Sequence, residues 1–379
     1  MIVNHKLCIW MNIPSHHQSG FFNALSNSDN IDLEVRYFNS ISGQRSAEGW
    51  SKSHKYRSFE QCVDGIVNSE GILETVTDAH DRIHIISANF NPELVIYFCE
   101  HKIKWCHWSE MPGIRLAELL SYNMSLYRLL NPLMLLLKRK EGQQISRYAL
   151  GAFGQGFLAQ HAFRMMGVPS RKTANLFYVP APLPVLEPSS EVKDFAQGRR
   201  IFLSVAALCK RKGIDVLLKS FAQLSTDDWC IVLCGLDKAE GVYQRLAQSL
   251  GIQAQVLFLG AHPVDRIAEV YVASDVFVLP SRFDGWGAVL NEAASVSLPL
   301  IGTDLCGAAW HVIQPNVNGY RVKSDSVSLL KKAMQNYVEK PALIATHGKQ
   351  SKEIFFGEFT PKKNVQRICK TLASWAVNK

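Results

Sequence analysis

The stretch Ser281-Arg282-Phe283-Asp284-Gly285-Trp286-Gly287-Ala288-Val289-Leu290-Asn291-Glu292-Ala293 decides how this chain is read. It follows an apolar, β-branched run, Asp275 to Pro280, with the composition of a buried strand. It leads into a helical pattern, Ala288 to Val296, with two glycines flanking one aromatic in between. A strand that turns through glycines into a helix presents unpaired backbone N–H groups and the positive end of the helix dipole. Such a junction takes phosphate. Asp284 stands just before it, and Glu292 is expected two turns into the helix. Carboxylates repel phosphate but accept hydrogen bonds from hydroxyls well, so this pair points to sugar hydroxyls. Phosphate and two sets of vicinal hydroxyls together describe a nucleotide sugar. The plain alternative is a carboxylate N-cap followed by a solvated helical Glu.

Working outward, apolar runs at 201–206, 230–235, 256–259, 276–280 and 299–302 predict strands. Amphipathic stretches at 213–224, 240–250, 264–273 and 286–296 separate them. Strands alternating with helices imply a parallel sheet covered on both faces, with ligands beyond the carboxyl ends of its strands. Asp284–Gly287 follows such a strand directly. The first half is less regular. Strands are expected at 7–11, 33–37, 83–86, 94–98, 103–107 and 148–153. The Pro-rich segment from Pro180 to Pro184, then Glu187-Pro188-Ser189-Ser190-Glu191, predicts a linker, with the boundary at 180–199. A final helix is expected from Lys363 to Val377.

The composition fits an ordinary globular protein: 379 residues, 47% hydrophobic and 20% charged, enough for two domains. Nine scattered cysteines without a C-x-x-C pair argue for reduced thiols and a cytoplasmic protein. Met1 to Lys6 runs straight into a core strand, so no cleavable leader is expected. No apolar run reaches the length of a membrane span, and the closest, 116–137, is interrupted by Glu118, Arg128 and Pro132. A net charge of +8 suits nucleotide phosphates, an anionic membrane surface or nucleic acid alike. No nucleic-acid-binding motif accompanies it, so no nucleic-acid partner is expected.

The Asp284 stretch resembles the acid-x7-acid motif of the family 4 retaining glycosyltransferases, which have the GT-B fold. Pro280-Ser281, Gly285, Gly287, Glu292 and Ala293 match in register, with Asp284 for the usual Glu and Trp286 for the usual Phe. The resemblance implies two doubly wound, Rossmann-like α/β domains facing across a cleft. Residues 1–185 would bind the acceptor, with 361–379 packing back on them, and 200–360 would bind the nucleotide sugar. It further implies that Glu292 holds the ribose and Asp284 the sugar, with Gly285, Trp286 and Gly287 on the donor. It implies retention and assembly of bacterial polysaccharide or lipopolysaccharide, on a saccharide or lipid-linked saccharide acceptor. No D-x-D sequence occurs, so no essential metal is expected, and no cofactor beyond the nucleoside-diphosphate sugar substrate.

A second phosphate candidate is Ser204–Gly213, where Lys210-Arg211-Lys212 precedes a helix. Cations there oppose the helix dipole unless an anion neutralises both. The segment is similar to the family's Gly-Arg-Leu…Lys-Gly, with Lys212 on the Lys position. Ala207 stands where the family has Arg, which leaves Lys210 or Arg211 to supply the charge, with Arg211 preferred. A solvated basic turn is the bland alternative. The loop Ile13–Gly20 follows the first strand, and its family counterpart lies over donor phosphate and acceptor, which would place Gly20 on the donor and His16 and His17 on the acceptor. His107 closes the run 103–106 where the family often has a His near the reaction centre, and Glu110 is a candidate acceptor contact.

Cys99, Glu100, His101, Cys106 and His107 do not have zinc-site spacing. Leu116, Leu119, Leu120, Leu133, Leu136 and Leu137, on helices split at Pro132 and followed by Lys138-Arg139-Lys140, suit either a first-domain core or a peripheral membrane surface. Other readings are an epimerase or phosphorylase on the same fold, or a nucleotide-sugar-binding protein without transfer activity, which the missing Arg at Ala207 motivates.

Overall fold

The computed structural model describes residues 5–41, 54–66, 68–87 and 89–377. Two parallel sheets organise the chain. The first has seven strands in the order β3-β2-β1-β4-β5-β6-β7: β1 His5–Met11, β2 Ile31–Tyr37, β3 Glu60–Cys62, β4 Ile83–Ile86, β5 Trp105–Ser109, β6 Ala152–Gly154 and β7 Thr173–Asn175. The second has six in the order β10-β9-β8-β11-β12-β13: β8 Arg200–Val205, β9 Trp229–Cys234, β10 Val256–Gly260, β11 Val276–Leu279, β12 Leu300–Thr303 and β13 Gly319–Val322. Helices cover both faces, so central strands are buried all round: every residue of β9 and β11 is buried. Strand order reverses between β1 and β4 in one sheet and between β8 and β11 in the other, and a ligand crevice forms at such switch points.

The last helix, Pro361–Val377, leaves the second sheet and packs on the helix His16–Ser26 of the first. Its Ile368, Leu372 and Trp375 join the core around Leu7, Ile9 and Phe21, and Asn364 Nδ2 donates to the Phe177 carbonyl at 2.6 Å.

Several expectations fail locally. Residues 94–98 are not a strand but part of the helix Pro92–Glu100. Asn91 caps it by accepting from Leu94 N at 3.0 Å, and Pro92 occupies the first turn. The apolar run is the buried face of that helix rather than a sheet interior. β3, β7 and β13 were not expected. β3 and β7 are short and polar, and Gly319 opens β13. Tyr148 ends the helix Arg139–Tyr148, so β6 starts only at Ala152. Pro132 does not split its helix, which runs Met124–Leu137 and breaks at Lys138 instead. Along it Leu129, Leu133, Leu136 and Leu137 are exposed, while Tyr127 and Leu135 face the core. Among the described residues no helix is long and apolar enough to cross a membrane.

Candidate functional site

A cavity of about 450 Å³ opens beyond the carboxyl ends of β8 and β9, at the switch point of the second sheet. Its lining includes Ala207, Arg211, Lys212, His262 and Glu292 from the second half and His16 and His17 from the first. Its size suits a small-molecule ligand.

Lys210–Lys212 form a 3₁₀ turn, ended by Gly213 at φ +67°. A Cβ on Gly213 would strike the Pro280 carbonyl, so glycine alone lets the basic turn close on the end of β11. Arg282 braces the same turn. It is buried, forms a bidentate pair with Asp215 at 2.7 and 2.8 Å, and donates to the Lys210 carbonyl at 2.8 Å and to Asp325 at 2.8 Å. The turn carries Lys212 Nζ to 2.5 Å from Asp284 Oδ2, with Arg211 Nη1 at 3.8 Å from Oδ1. Burial alone would raise the Asp284 carboxyl, but Lys212, Arg211 and the hydrogen bonds from Lys212 and Ser281 outweigh it, and the group stays ionised.

Glu292 lies in the first turn of the short helix Val289–Ser295, not two turns into it, because Gly285–Ala288 remain outside the helix. Its side chain is buried. Tyr271 Oη donates to Oε2 at 2.7 Å, and His17 Nε2 stands 3.0 Å from Oε1. Burial raises its carboxyl, and the hydrogen bond and charge of His17, with His16 and Tyr271, bring it below the ordinary value.

Glu110 continues β5 into the cleft and rests on Gly285, where any Cβ would collide with its carboxylate. It keeps solvent access at the mouth, yet the protein packed around it desolvates the carboxyl, which together with Asp284 raises it to about 7 against the pull of Arg211 and Lys212. Gly287 takes φ +89°, and its Cβ would press on Cys306.

Not every expected residue reaches the cleft. His107 sits inside β5, hydrogen-bonded to Ser109 at 2.9 Å, and faces a separate cavity of about 280 Å³ within the first domain. Burial lowers it to about 4, so it is neutral. The strand runs two residues beyond it, and Glu110 takes the place at the cleft. Gly20 is inside the helix His16–Ser26, packed on Ala181, because the loop after β1 ends at Ser15. Trp286 is buried against Phe177, with centroids 5.3 Å apart, and donates to Asn291 at 3.1 Å. It joins the two halves rather than lining the cavity. Cys99 and His101 belong to the helix Pro92–Glu100 and its cap, while Cys106 and His107 lie on β5. Among the described residues, the one group of three potential metal ligands whose ligating atoms lie within 4.8 Å of one another is His16, His17 and Glu292.

Sequence reasoning missed Tyr271, Arg282 and the clasp between the halves. In that clasp Arg128 Nη2 donates to Asp304 Oδ1 at 2.8 Å and to Ser324 at 2.9 Å. The available signal for one of them was the lone Arg in Ser281-Arg282-Phe283, directly after the apolar run 275–280 and before the glycines.

Comparison with known proteins agrees with this architecture. Residues 187–354, less than half of the chain, match the family described as Glycosyl transferases group 1. N-acetyl-alpha-D-glucosaminyl L-malate synthase of Bacillus anthracis is 28% identical over 174 residues, 45% of this chain and 45% of that protein. D-inositol 3-phosphate glycosyltransferase of Rhodococcus opacus (strain B4) is 32% identical over 143 residues, 35% of this chain and 32% of that protein. The matches thus span less than half the length of these relatives. Among solved structures, Anabaena HepE in complex with UDP and glucose superposes with a TM-score of 0.73 at 15% identity, covering 98% of this chain and 100% of that one. The lipopolysaccharide outer core galactosyltransferase WaaB, in its apo form, gives 0.70 at 14% identity, covering 97% and 99%. The chain therefore has the GT-B fold, and its residues 187–354 match a glycosyl transferase group 1 domain.

Proposed function

We propose that this chain is a retaining glycosyltransferase that moves a sugar from a nucleoside-diphosphate sugar to a saccharide or lipid-linked saccharide. The observation that carries this is that Lys212 and Glu292 line one switch-point cavity while the buried Asp284 stands behind Lys212, paired with it at 2.5 Å, so that two buried carboxylates and a cation with matched partners meet there. Lys212 and Arg211 neutralise the departing diphosphate, with the amides of Gly285 and Gly287 beside them. Asp284, ionised and aimed by Lys212, accepts from sugar hydroxyls. Glu292, oriented by Tyr271, accepts from the ribose.

The reaction breaks the bond from the anomeric carbon to the diphosphate oxygen and forms one to the acceptor oxygen on the same face. The acceptor proton leaves to the diphosphate. Closure of the cleft aligns the two substrates and excludes water. His16, His17 and Glu110 present the first-domain wall to the acceptor. The protein groups meet the phosphate charge without a metal ion. The likeness to a fold bound to UDP and glucose favours UDP as the donor nucleotide, and the likeness to WaaB favours polysaccharide or lipopolysaccharide assembly. The exposed leucines of Met124–Leu137, followed by Lys138-Arg139-Lys140, suit contact with an anionic membrane surface near a lipid-linked acceptor.

A thermal-shift panel of UDP-, GDP-, ADP- and dTDP-sugars with EDTA, on wild type and Glu292→Ala, tests the donor site. Saturation at 100-fold over Kd adds about 2.7 kcal/mol of apparent stability. Stabilisation by one nucleotide class, lost in the variant, supports the reading. No stabilisation of a folded protein by any of them sinks it. Ala207 in place of the family's Arg keeps one competitor open, a binding protein without transfer activity. It predicts stabilisation by donor without release of nucleoside diphosphate when acceptors are supplied.

A further inference from the structure

His16 and His17 start the first-domain helix His16–Ser26, and Glu292 lies on the second-domain helix Val289–Ser295. The two imidazole centroids are 3.8 Å apart, and one ligating atom from each of the three residues falls within 4.8 Å of the others. We propose that these three residues form a site for a zinc-like divalent cation that bridges the two domains and competes with the donor.

The donor set fits. Two imidazoles and one carboxylate suit zinc, whereas calcium and magnesium favour oxygen ligands. Zinc bonds of about 2.0–2.2 Å in a tetrahedron set ligand atoms about 3.3 Å apart. One edge is already close to this, His17 Nε2 to Glu292 Oε1 at 3.0 Å. The third ligand must come from His16, whose nearest ring nitrogen lies within 4.8 Å of the other two ligating atoms, so the site needs the three to draw together by an ångström or so. Glu292 is also oriented as a ligand should be: Tyr271 holds Oε2 at 2.7 Å, which turns Oε1 toward the imidazoles. Three protein ligands at a cavity wall leave the fourth position to water.

The surroundings limit the affinity. Arg211 and Lys212 line the same cavity and repel a cation, and among the described residues Glu292 is the one carboxylate in its lining. Micromolar rather than structural-site binding follows. An ion on Glu292 occupies the carboxylate that the ribose needs, so metal would block the donor. That clause rests on the reading of Glu292 given under Proposed function; the metal site itself does not. Because His16 and His17 come from one domain and Glu292 from the other, the ion would also pin the cleft.

The test titrates the full chain with zinc chloride, and separately with Co²⁺ followed by absorption. Wild type is compared with His16→Gln, His17→Gln, Glu292→Gln and Cys209→Ser, each shown to be folded by its melt in EDTA. The expected result is one site, weakened at least tenfold by each of the first three changes and unmoved by Cys209→Ser, with no thiolate-to-cobalt charge-transfer band. Absence of binding, or a thiolate band insensitive to the three changes, overturns the site. UDP is then added. Weaker zinc binding in its presence supports competition. Zinc binding through the three residues with UDP binding independently overturns competition and leaves the metal site standing. UDP binding that needs Glu292, with no zinc bound, overturns the metal site and leaves the donor reading intact.

Discussion

The two walls of the cleft are built differently. On the second-domain wall, Lys212, Asp284 and Glu292 each have close partners, and Arg282, Asp215 and Asp325 fix the backbone beneath them. On the first-domain wall, Glu110 keeps access to solvent, and His16 and His17 are half-buried at a helix start. A wall of interlocked charges costs little reorganisation when a fixed anion such as a diphosphate arrives. A wall whose side chains reach the cleft mouth without interlocking among themselves adapts to variable partners, although His17 also reaches Glu292 across the cleft at 3.0 Å. Under the proposed function, this contrast would put the invariant part of the substrate on the second domain and the variable part on the first.

Changes on the rigid wall should therefore cost most. Lys212→Met removes the principal cation of the proposed leaving-group site and leaves Asp284 with Arg211 as its one nearby cation, beside the Ser281 hydroxyl. Transfer, followed as release of nucleoside diphosphate, should fall about 10²–10³-fold. A loss below tenfold would show that Arg211 or Lys210 carries the charge instead.

Glu292→Gln keeps the shape and loses the charge. Donor affinity by calorimetry should drop roughly 10–100-fold, as expected for charge-assisted hydrogen bonds of about 1.5–3 kcal/mol. If acceptor affinity falls instead, the division of labour between the walls is wrong.

Arg128→Ala cuts a tie between the walls, since Arg128 reaches both Asp304 and Ser324. The pair is partly exposed, so the apo protein should lose only about 1 kcal/mol, measured by denaturant titration. Ala207→Arg restores the family's missing cation and should tighten donor binding by a few-fold, about 1 kcal/mol.

The smallest effect is a pH dependence on the adaptable wall. The Glu110 carboxyl is raised to about 7 in the folded protein, so the native state holds its proton where the unfolded chain has lost it. Stability should decline from the ordinary Glu range up to pH 7 on this account. The Glu110→Gln variant lacks that decline. Its melting temperature should match wild type at low pH and exceed it above pH 7. Parallel curves would show that Glu110 is simply solvated.

The same contrast explains what the sequence made legible. The second-domain site is local: strand, glycines and both acids lie within Val276–Ser295, so one periodic segment reveals it. The Lys212 turn repeats that pattern. The first-domain wall is assembled from short elements far apart in the chain, and side-chain placement there depends on where strands stop. β5 ends at Ser109 rather than at His107, and this puts Glu110, not His107, against Gly285. The loop after β1 ends at Ser15, which puts Gly20 inside the helix and outside the lining of the cavity. Trp286 was misplaced for another reason. Its ring turns into the junction with Phe177, and no period in one segment reports a contact with a distant one. Leu94–Phe98 shows the remaining limit, since a short apolar run fits a buried strand or a helix face, and only the Asn91-Pro92 start separates them.

The most direct measurement is calorimetric titration of UDP and a UDP-sugar into the full chain in EDTA, with wild type beside Lys212→Met. A diphosphate site on the second-domain wall predicts saturable binding without metal, at least tenfold weaker in the variant. Equal affinity in both proteins, or no binding to a folded wild type by any nucleoside diphosphate, would contradict it.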